Sequence, residues 1–281
     1  FSTIRPRGSL ITSLNSHASG PVSFMQIYDA VCKCVMSAGH RRGAMMGVMR
    51  IDHPDIMEFI HAKQNKHALT GFNISVGVTD EFMQALQNGE DYELRWGGQV
   101  YAKLDAAEVW EALMRSAWDW AEPGVLFLDT INSTNNLRYC EIITATNPCA
   151  EQPLPPFAAC LLASVNLPKY LIEDGTLFDF HLFEEDIKVA VRALDAVINV
   201  ARSPLAQQEE YHRKTRRLGL GVTGLANALE AMGMPYGSME FVGFEERILK
   251  FLTHTAYRES IEMAKEVGSF PLLDREKYLE E

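Results

Sequence analysis

The stretch EPGVLFLDTINSTNNLRYCEIITATNPCAEQPLPPFAACLLASVNL, residues 122–167, contains the pattern that decides the fold. It opens with the apolar run GVLFLD and closes with ACLLASVNL, and each run has the length and composition of a buried strand. Between them lies TNPCAEQPLPP, residues 146–156, whose prolines exclude a helix. The stretch therefore predicts two buried strands, with a non-helical segment at residues 146–156 between them.

Three reactive side chains alternate within that segment. Pro148 fixes its own φ and pushes Asn147 toward extended geometry, so the segment is expected to run like a strand. Side chains two positions apart in a strand share a side. We therefore predict that Asn147, Cys149 and Glu151 form a row of amide, thiol and carboxylate; the alternative is a surface loop with a buried cysteine.

Strands and helices alternate outward from this stretch. FNISVGVT has the pattern of a strand, while DEFMQALQNG and AAEVWEALMRSAWDWA have that of helices. Further helices are predicted over 182–200, 207–232 and 241–267. This alternation is typical of an α/β fold with a parallel sheet.

The first helix is predicted over residues 23–37, with Ser23 as its N-cap. Its predicted apolar face contains Phe24, Ile27, Tyr28 and Val31 at helical spacing. The glycine-bounded GHRRGAMMG, residues 39–47, is predicted to be a loop that leads into a short strand, VMRI.

Composition limits the function classes. The formal net charge of −11 over 281 residues argues against binding of a nucleic-acid polymer. The chain lacks a run of membrane-spanning length and a signal-peptide pattern, so we expect a cytoplasmic protein without a membrane partner.

Five cysteines occur without CxxC spacing, which fits neither a disulfide framework nor a zinc site, and no metal is expected. Cysteine function is therefore expected to be catalytic or redox. Cys32 and Cys34 on one helix point apart and are interpreted as structural. Cys140 receives no role.

Residues 122–167 strongly resemble the active-site region of the large, catalytic subunit of ribonucleotide reductase, in the form typical of the adenosylcobalamin-dependent class. IRPRGSLI, ASGPVSFM, RRGAMMGVMRIDHPDIMEFI, FNISVGVTDEFM and RRLGLGVTGLANAL are similar to the same family's barrel. The resemblance implies part of a ten-stranded α/β barrel with a central finger loop. It makes residues 1–281 a single partial catalytic domain without the family's N-terminal and C-terminal portions, and we expect the isolated chain to be inactive.

The resemblance also implies roles for the reactive residues. A thiyl radical on Cys149 would abstract the ribose 3′ hydrogen, with Glu151 as general base and Asn147 orienting the sugar hydroxyls. Cys160 would be one half of the dithiol that reduces the 2′ position, and its partner would lie upstream of this chain. Adenosylcobalamin would generate the radical, and a thioredoxin-type protein would restore the dithiol.

An allosteric site for deoxynucleotide or ATP effectors is implied as well. The residues expected to contact effector or substrate are Arg5, Gly39, Arg41, Arg42, Gly43 and Ala44. Relatives commonly carry Gln-Gly-Gly before the two arginines, whereas this chain has Ser37, Ala38 and Gly39. Ala150 and Ala163 stand where glycine is usual, and an extended backbone would accept both.

Several alternatives stay open. The chain could be the large subunit of the class that uses a separate radical-bearing small subunit, or a noncatalytic nucleotide-binding fragment. Missing segments could come from another chain, or the protein could be a homodimer.

GLGVTG, residues 219–224, satisfies a dinucleotide motif but follows no buried strand, so we interpret its glycines as allowing close helix packing. His53 is interpreted as part of a helix cap, with a metal site as the alternative.

Overall fold

The computed structural model describes residues 1–37 and 41–279. The chain divides into two compact units, Phe1–Pro156 and Phe157–Glu281, and each has its own hydrophobic core. That residues 1–281 form a single partial barrel domain stays a prediction.

The first unit contains strands and helices in alternation. Its strands are β1 (Leu10–Ile11), β2 (Ser16–His17), β3 (Met36–Ser37), β4 (Arg41–Arg42), β5 (Met45–Arg50), β6 (Phe72–Val78), β7 (Asp91–Trp96), β8 (Gln99–Asp105), β9 (Gly124–Phe127), β10 (Ala145–Thr146) and β11 (Pro153–Leu154). Its helices are α1 (Pro21–Cys34), α2 (Ile56–Ile60), α3 (Asp80–Asn88), α4 (Ala106–Trp120) and α5 (Leu128–Ser133).

A parallel three-stranded sheet organises this unit, in the order β5–β6–β9. The central strand β6 is buried at every position except Asn73. Its Ile74 and Val76 belong to the core that also contains Phe59 of α2 and Leu113 of α4. The predicted α/β class is confirmed, since parallel strands alternate with helices.

A partly buried ion pair lies at the start of the sheet and links its strands. Glu122, two residues before β9, accepts a hydrogen bond from Ile74 N at 3.0 Å. Its other oxygen forms an ion pair with Lys63, which also donates to the carbonyl of Phe72. The Lys63 and Glu122 side chains are only 17% and 22% exposed, so solvent screens this contact weakly. The network ties β6, β9 and the segment after α2 together.

Helix α1 buries a different face from the one predicted. It begins at Pro21 with Gly20 as N-cap, and Ser23 Oγ donates to Gly20 O instead of capping. Val22, Met25 and Asp29 are buried, because Met25 enters the core and Asp29 accepts from Gly71 N at 2.7 Å. The predicted face is wrong: its Phe24, Ile27, Tyr28 and Val31 are 42–58% exposed.

The hairpin β7–β8 has no counterpart in the sequence prediction. Gly97 and Gly98 form its two-residue turn with φ of 59° and 79°. Positive φ at both positions is what the tight hairpin turn requires, and glycine adopts it without strain. The signal in the sequence was the Gly-Gly pair between two runs that alternate in character.

The second unit is built on two parallel strands and two long helices. Its strands are β12 (Leu161–Asn166), β13 (Leu171–Ile172), β14 (Leu177–Phe178) and β15 (Leu218–Thr223). Its helices are α6 (Phe180–Val200), α7 (Ala206–Thr215), α8 (Leu225–Ala231), α9 (Met239–Val267) and α10 (Arg275–Leu279), with 3-10 turns at Leu167–Tyr170 and Glu173–Gly175. The predicted buried face of α6, with Ile187, Val191, Leu194 and Ile198, is confirmed.

The predicted helix over 207–232 is wrong in its centre. Arg216 takes a left-handed φ of 50° and ends α7, and residues 218–223 form β15 alongside β12. Leu218, Leu220 and Val222 alternate with two glycines, which is a strand pattern, and they pack against the core. Gly219 and Gly221 therefore lie within a strand, and Gly224 is the N-cap of α8. The interpretation that the glycines allow helix packing is corrected for the two strand positions.

We predict that Glu122→Ala destabilises the chain by about 2–4 kcal/mol, because it removes the carboxylate that pairs with Lys63 and the acceptor of Ile74 N. Glu122→Gln keeps an acceptor for Ile74 N and is expected to cost roughly half as much. Urea unfolding followed by circular dichroism measures both. The exposed Glu111→Ala on α4 is the control and should change the free energy of unfolding by less than about 0.5 kcal/mol. Equal stability of Glu122→Ala and the unmodified chain would show that the network does not fix the sheet.

Candidate active site

A short hairpin presents the predicted reactive residues. Strands β10 and β11 pair antiparallel, Ala145 with Leu154 and Thr146 with Pro153, and residues 147–152 form the turn between them. The turn is not helical, as predicted, but it is also not extended. The period-two argument for a row of side chains therefore does not apply to its backbone.

The side chain of Asn147 closes the turn. Its Oδ1 accepts from Gln152 N at 3.0 Å, and its backbone oxygen accepts from Ala150 N at 3.0 Å. Asn147 N in turn donates to Gln152 O at 3.3 Å. An asparagine side chain that bonds nearby backbone is a common way to hold a tight turn. Part of the hydrogen-bonding capacity of Asn147 thus serves the loop itself.

Ala150 lies in the left-handed region, with φ of 67°. The sequence analysis expected an extended backbone here that alanine would accept. The structure instead has the positive φ that glycine adopts freely and that costs an alanine roughly 1–2 kcal/mol. Ala150 N donates to Asn147 O in this conformation. The turn therefore holds strained backbone at the residue that follows Cys149.

Cys149 and Glu151 are both exposed in the turn. The carbonyl of Pro148 accepts a hydrogen bond of 2.6 Å from Asn73 Nδ2 on β6. Sequence analysis did not identify Asn73. It is the only exposed position in an otherwise buried strand, but burial of individual residues was not available from the pattern alone.

Cys160 lies in the second unit. It directly precedes β12 and is half-buried, so its predicted place inside the strand is off by one residue. Ala163, in β12, pairs with Leu220 in ordinary parallel geometry. Cys140, in the first unit, is exposed, and its Sγ lies 3.5 Å from Leu137 O.

The residues predicted to contact effector or substrate fall in two places. Gly39 lies outside the described residues. Arg41 and Arg42 form β4, which pairs antiparallel with β3, so part of the predicted loop is a short strand. A Cβ at Gly43 would lie 2.8 Å from Cys32 Sγ, and Cys32 therefore packs closely on Gly43, as a structural cysteine would. Ala44 is exposed.

Arg5 is held by neighbouring groups. Its Nη1 donates to Leu10 O at 2.8 Å, and its guanidinium lies 5.8 Å from the centre of the Trp96 ring on β7.

The adjacent Ile4 carbonyl lies 3.0 Å from His53 Nε2. His53 Nδ1 accepts a hydrogen bond from Asp55 N at 3.0 Å, so the imidazole is neutral and Nε2 carries the proton that it donates to Ile4 O. Burial lowers the pKa of His53. These contacts fit the interpretation of His53 as part of the cap of α2.

A cavity of about 660 Å³ adjoins the hairpin in the first unit. Met46, Val48 and Leu128 give it an apolar wall, and Arg50 and Asp129 lie at its polar side. Ala145 of β10 is part of its lining. The sequence analysis did not predict this space.

A family model described as "Ribonucleotide reductase, barrel domain" matches residues 1–281. The chain belongs to the ribonucleotide reductase family. The resemblance in the sequence is thereby confirmed, and so is the α/β barrel type of fold that it implied.

Known ribonucleotide reductases resemble the chain over nearly its whole length. It is 41% identical to the vitamin B12-dependent ribonucleoside-diphosphate reductase of Thermoplasma acidophilum, over 96% of this chain and 36% of that protein. The corresponding Mycobacterium tuberculosis protein is 42% identical, over 96% of this chain and 39% of that protein. The large subunit of the vaccinia virus ribonucleoside-diphosphate reductase is 26% identical. The chain thus spans less than half the length of these relatives.

We predict that Ala150→Gly stabilises the chain by about 0.5–1 kcal/mol, because relief of the left-handed strain exceeds the added backbone entropy of glycine. Thermal unfolding measures the change. Ala112→Gly, within helix α4, is the matched control and should destabilise by about 1 kcal/mol. A loss of stability in Ala150→Gly as large as that of the control would contradict a left-handed backbone at residue 150.

Proposed function

We propose that this chain is the catalytic barrel segment of an adenosylcobalamin-dependent ribonucleotide reductase, which converts ribonucleotides to deoxyribonucleotides for DNA precursor synthesis. The observation that carries the proposal is the hairpin turn at residues 147–152, which exposes Cys149 and Glu151 and is closed by Asn147. Family membership supports it, because this turn lies within the matched barrel region.

Cys149 starts and ends the reaction in this proposal. As a thiyl radical it takes the 3′ hydrogen atom of the ribose, while Glu151 takes the proton of the 3′-hydroxyl. The 2′-hydroxyl then leaves as water, and Cys149 finally returns a hydrogen atom to the 3′ carbon. The turn must hold the sulfur close to one carbon, and an exposed tip on a short hairpin supports this requirement.

Cys160 supplies reducing equivalents. With a second thiol it gives up two electrons and becomes a disulfide, which balances the loss of the 2′-hydroxyl as water. A thioredoxin-type protein would then reduce that disulfide.

Adenosylcobalamin, when bound, would supply the radical chemistry, and Cys149 would carry the radical. The exposed position of Cys149 is compatible with the approach of a large group to its sulfur. We assign no residue of this chain to holding the cofactor. Vitamin B12 dependence is named for the Thermoplasma acidophilum and Mycobacterium tuberculosis relatives, which are 41–42% identical. This supports the cobalamin class over the class with a separate small subunit.

The resemblance also implies an effector site. Deoxynucleotides or ATP would bind near Arg5 and the Gly39–Ala44 segment and influence the choice of substrate. A homodimer and a cytoplasmic location belong to the same proposal. None of the helices within residues 1–37 and 41–279 has the length and apolarity to cross a membrane.

A chimaeric Thermoplasma acidophilum reductase, with its matched region replaced by this chain, tests the assignment. Assayed with ribonucleoside diphosphate, adenosylcobalamin and dithiothreitol, Cys149→Ser should be inactive, because an alcohol O–H bond is too strong to yield a useful hydrogen-abstracting radical. Cys160→Ser should release free base instead of deoxynucleotide. Glu151→Gln should lower kcat by about 10²-fold.

Cys140→Ser is the control, since Cys140 is an exposed cysteine of the same unit with no proposed role. It should keep nearly full turnover. A Cys149→Ser chimaera as active as the Cys140→Ser chimaera would refute the proposed function.

A further inference from the structure

One hydrogen bond joins the reactive turn to the central strand of the sheet. Asn73 Nδ2 donates to Pro148 O at 2.6 Å, across 75 positions of the chain. The Pro148 carbonyl belongs to the peptide group that includes Cys149 N. A bond that orients this planar group therefore orients the backbone that carries the reactive sulfur.

The donor residue, Asn73, lies on a part of β6 whose backbone is held by its neighbours. Phe72 and Ile74, on either side of Asn73, are buried, at 2% and 1% exposure. Lys63 binds the Phe72 carbonyl, and Glu122 accepts from Ile74 N. The backbone of β6 is thus held on both sides of Asn73, and the short asparagine side chain has little freedom to move relative to the sheet.

The other contacts of the turn have different effects. Bonds between Asn147, Ala150 and Gln152 are local and fix only the shape of the turn. Ala145 and Ala150 pack against the small cluster of Val48, Leu126 and Leu128, but apolar packing is non-directional. The Asn73 bond adds a direction, because it sets the plane of the peptide group before Cys149.

We infer that Asn73 is a positioning residue for Cys149, an inference that rests on the proposed function. Hydrogen abstraction needs the sulfur within a short distance of one carbon, and a misplacement of about 1 Å can lower a rate by about 10²-fold. Asn73 touches neither substrate nor cofactor in this role and acts only through the Pro148 carbonyl. An exposed side-chain bond contributes little to global stability, since water competes for both partners.

The kinetic test uses the chimaeric reductase. Asn73→Asp keeps the size of the side chain but removes the donor and sets a carboxylate against the carbonyl, and Asn73→Ala removes the group. Both should lower kcat by about 10–100-fold with KM for the nucleotide unchanged. Asn65→Ala is the matched control, because Asn65 is also an exposed asparagine whose side chain bonds backbone, at His67 N. It should leave kcat unchanged.

Hydrogen exchange of the 281-residue chain tests the same inference without turnover. In Asn73→Ala the amides of Ala150 and Gln152 should exchange about five- to tenfold faster, because the turn opens locally more often. The amides of Val76 and Val78 in β6 should keep their rates. Asn65→Ala should change neither set.

The two measurements separate the inference from the proposed function. The proposed function would be refuted if the chimaera with Asn73 intact were inactive, or if its Cys149→Ser variant were active. In either case the exchange experiment would still decide whether Asn73 holds the turn. Unchanged kcat and unchanged exchange in Asn73→Ala would overturn the positioning role. So would equal acceleration of exchange in β6 and in the turn, since Asn73 would then only stabilise the fold.

Discussion

The carboxylate of Glu122 holds the sheet of the first unit in register. One oxygen accepts a hydrogen bond from Ile74 N, and the other forms an ion pair with Lys63. Lys63 in turn donates a hydrogen bond to the carbonyl of Phe72. A slip of one residue would exchange the two faces of β6 and take its apolar side chains out of the core. The correct register sends Ile74 and Val76 into the core and leaves Asn73 exposed near the start of β6, where it bonds the turn that carries Cys149.

The reactive turn combines local and distant constraints. Asn147 and Ala150 determine its shape through bonds that span only a few residues. Its place is set by the sheet, through Asn73 and through the packing of Ala150 against Val48 and Leu126. A cysteine radical needs both, since a well-shaped turn in the wrong position cannot bring sulfur to one particular carbon.

Much of the fold could be predicted from the sequence because its strands and helices have strong periodic patterns. FNISVGVT and the α6 face are found as predicted. The face of α1 could not be predicted, because a buried Asp29 and its distant partner Gly71 determine which side turns inward. The hairpin β7–β8 was missed although Gly97 and Gly98 signal it, and β15 was missed because its glycines interrupt the apolar pattern.

The site residues were predicted from a resemblance, and their local geometry was not. Prolines correctly exclude a helix at residues 147–152, but proline statistics do not distinguish an extended path from a turn. The turn depends on the bond from Gln152 N to Asn147 Oδ1, a side-chain contact that no periodic pattern reveals. Asn73 was missed for a similar reason, because its partner is far away in the chain.

The pairing of the sheet also has a consequence for the order of folding. Three pairings join partners at increasing distance along the chain: Ala145 with Leu154, Met45 with Phe72, and Ser75 with Gly124. The entropy lost on closing a loop grows with its length, so on this ground we expect the small hairpin to close most readily and β9 to join β6 last. Lys63 and Glu122 meet only in that final step. The hairpin can thus form early as a local unit, yet Cys149 reaches its working position only once the slowest pairing of the unit is complete.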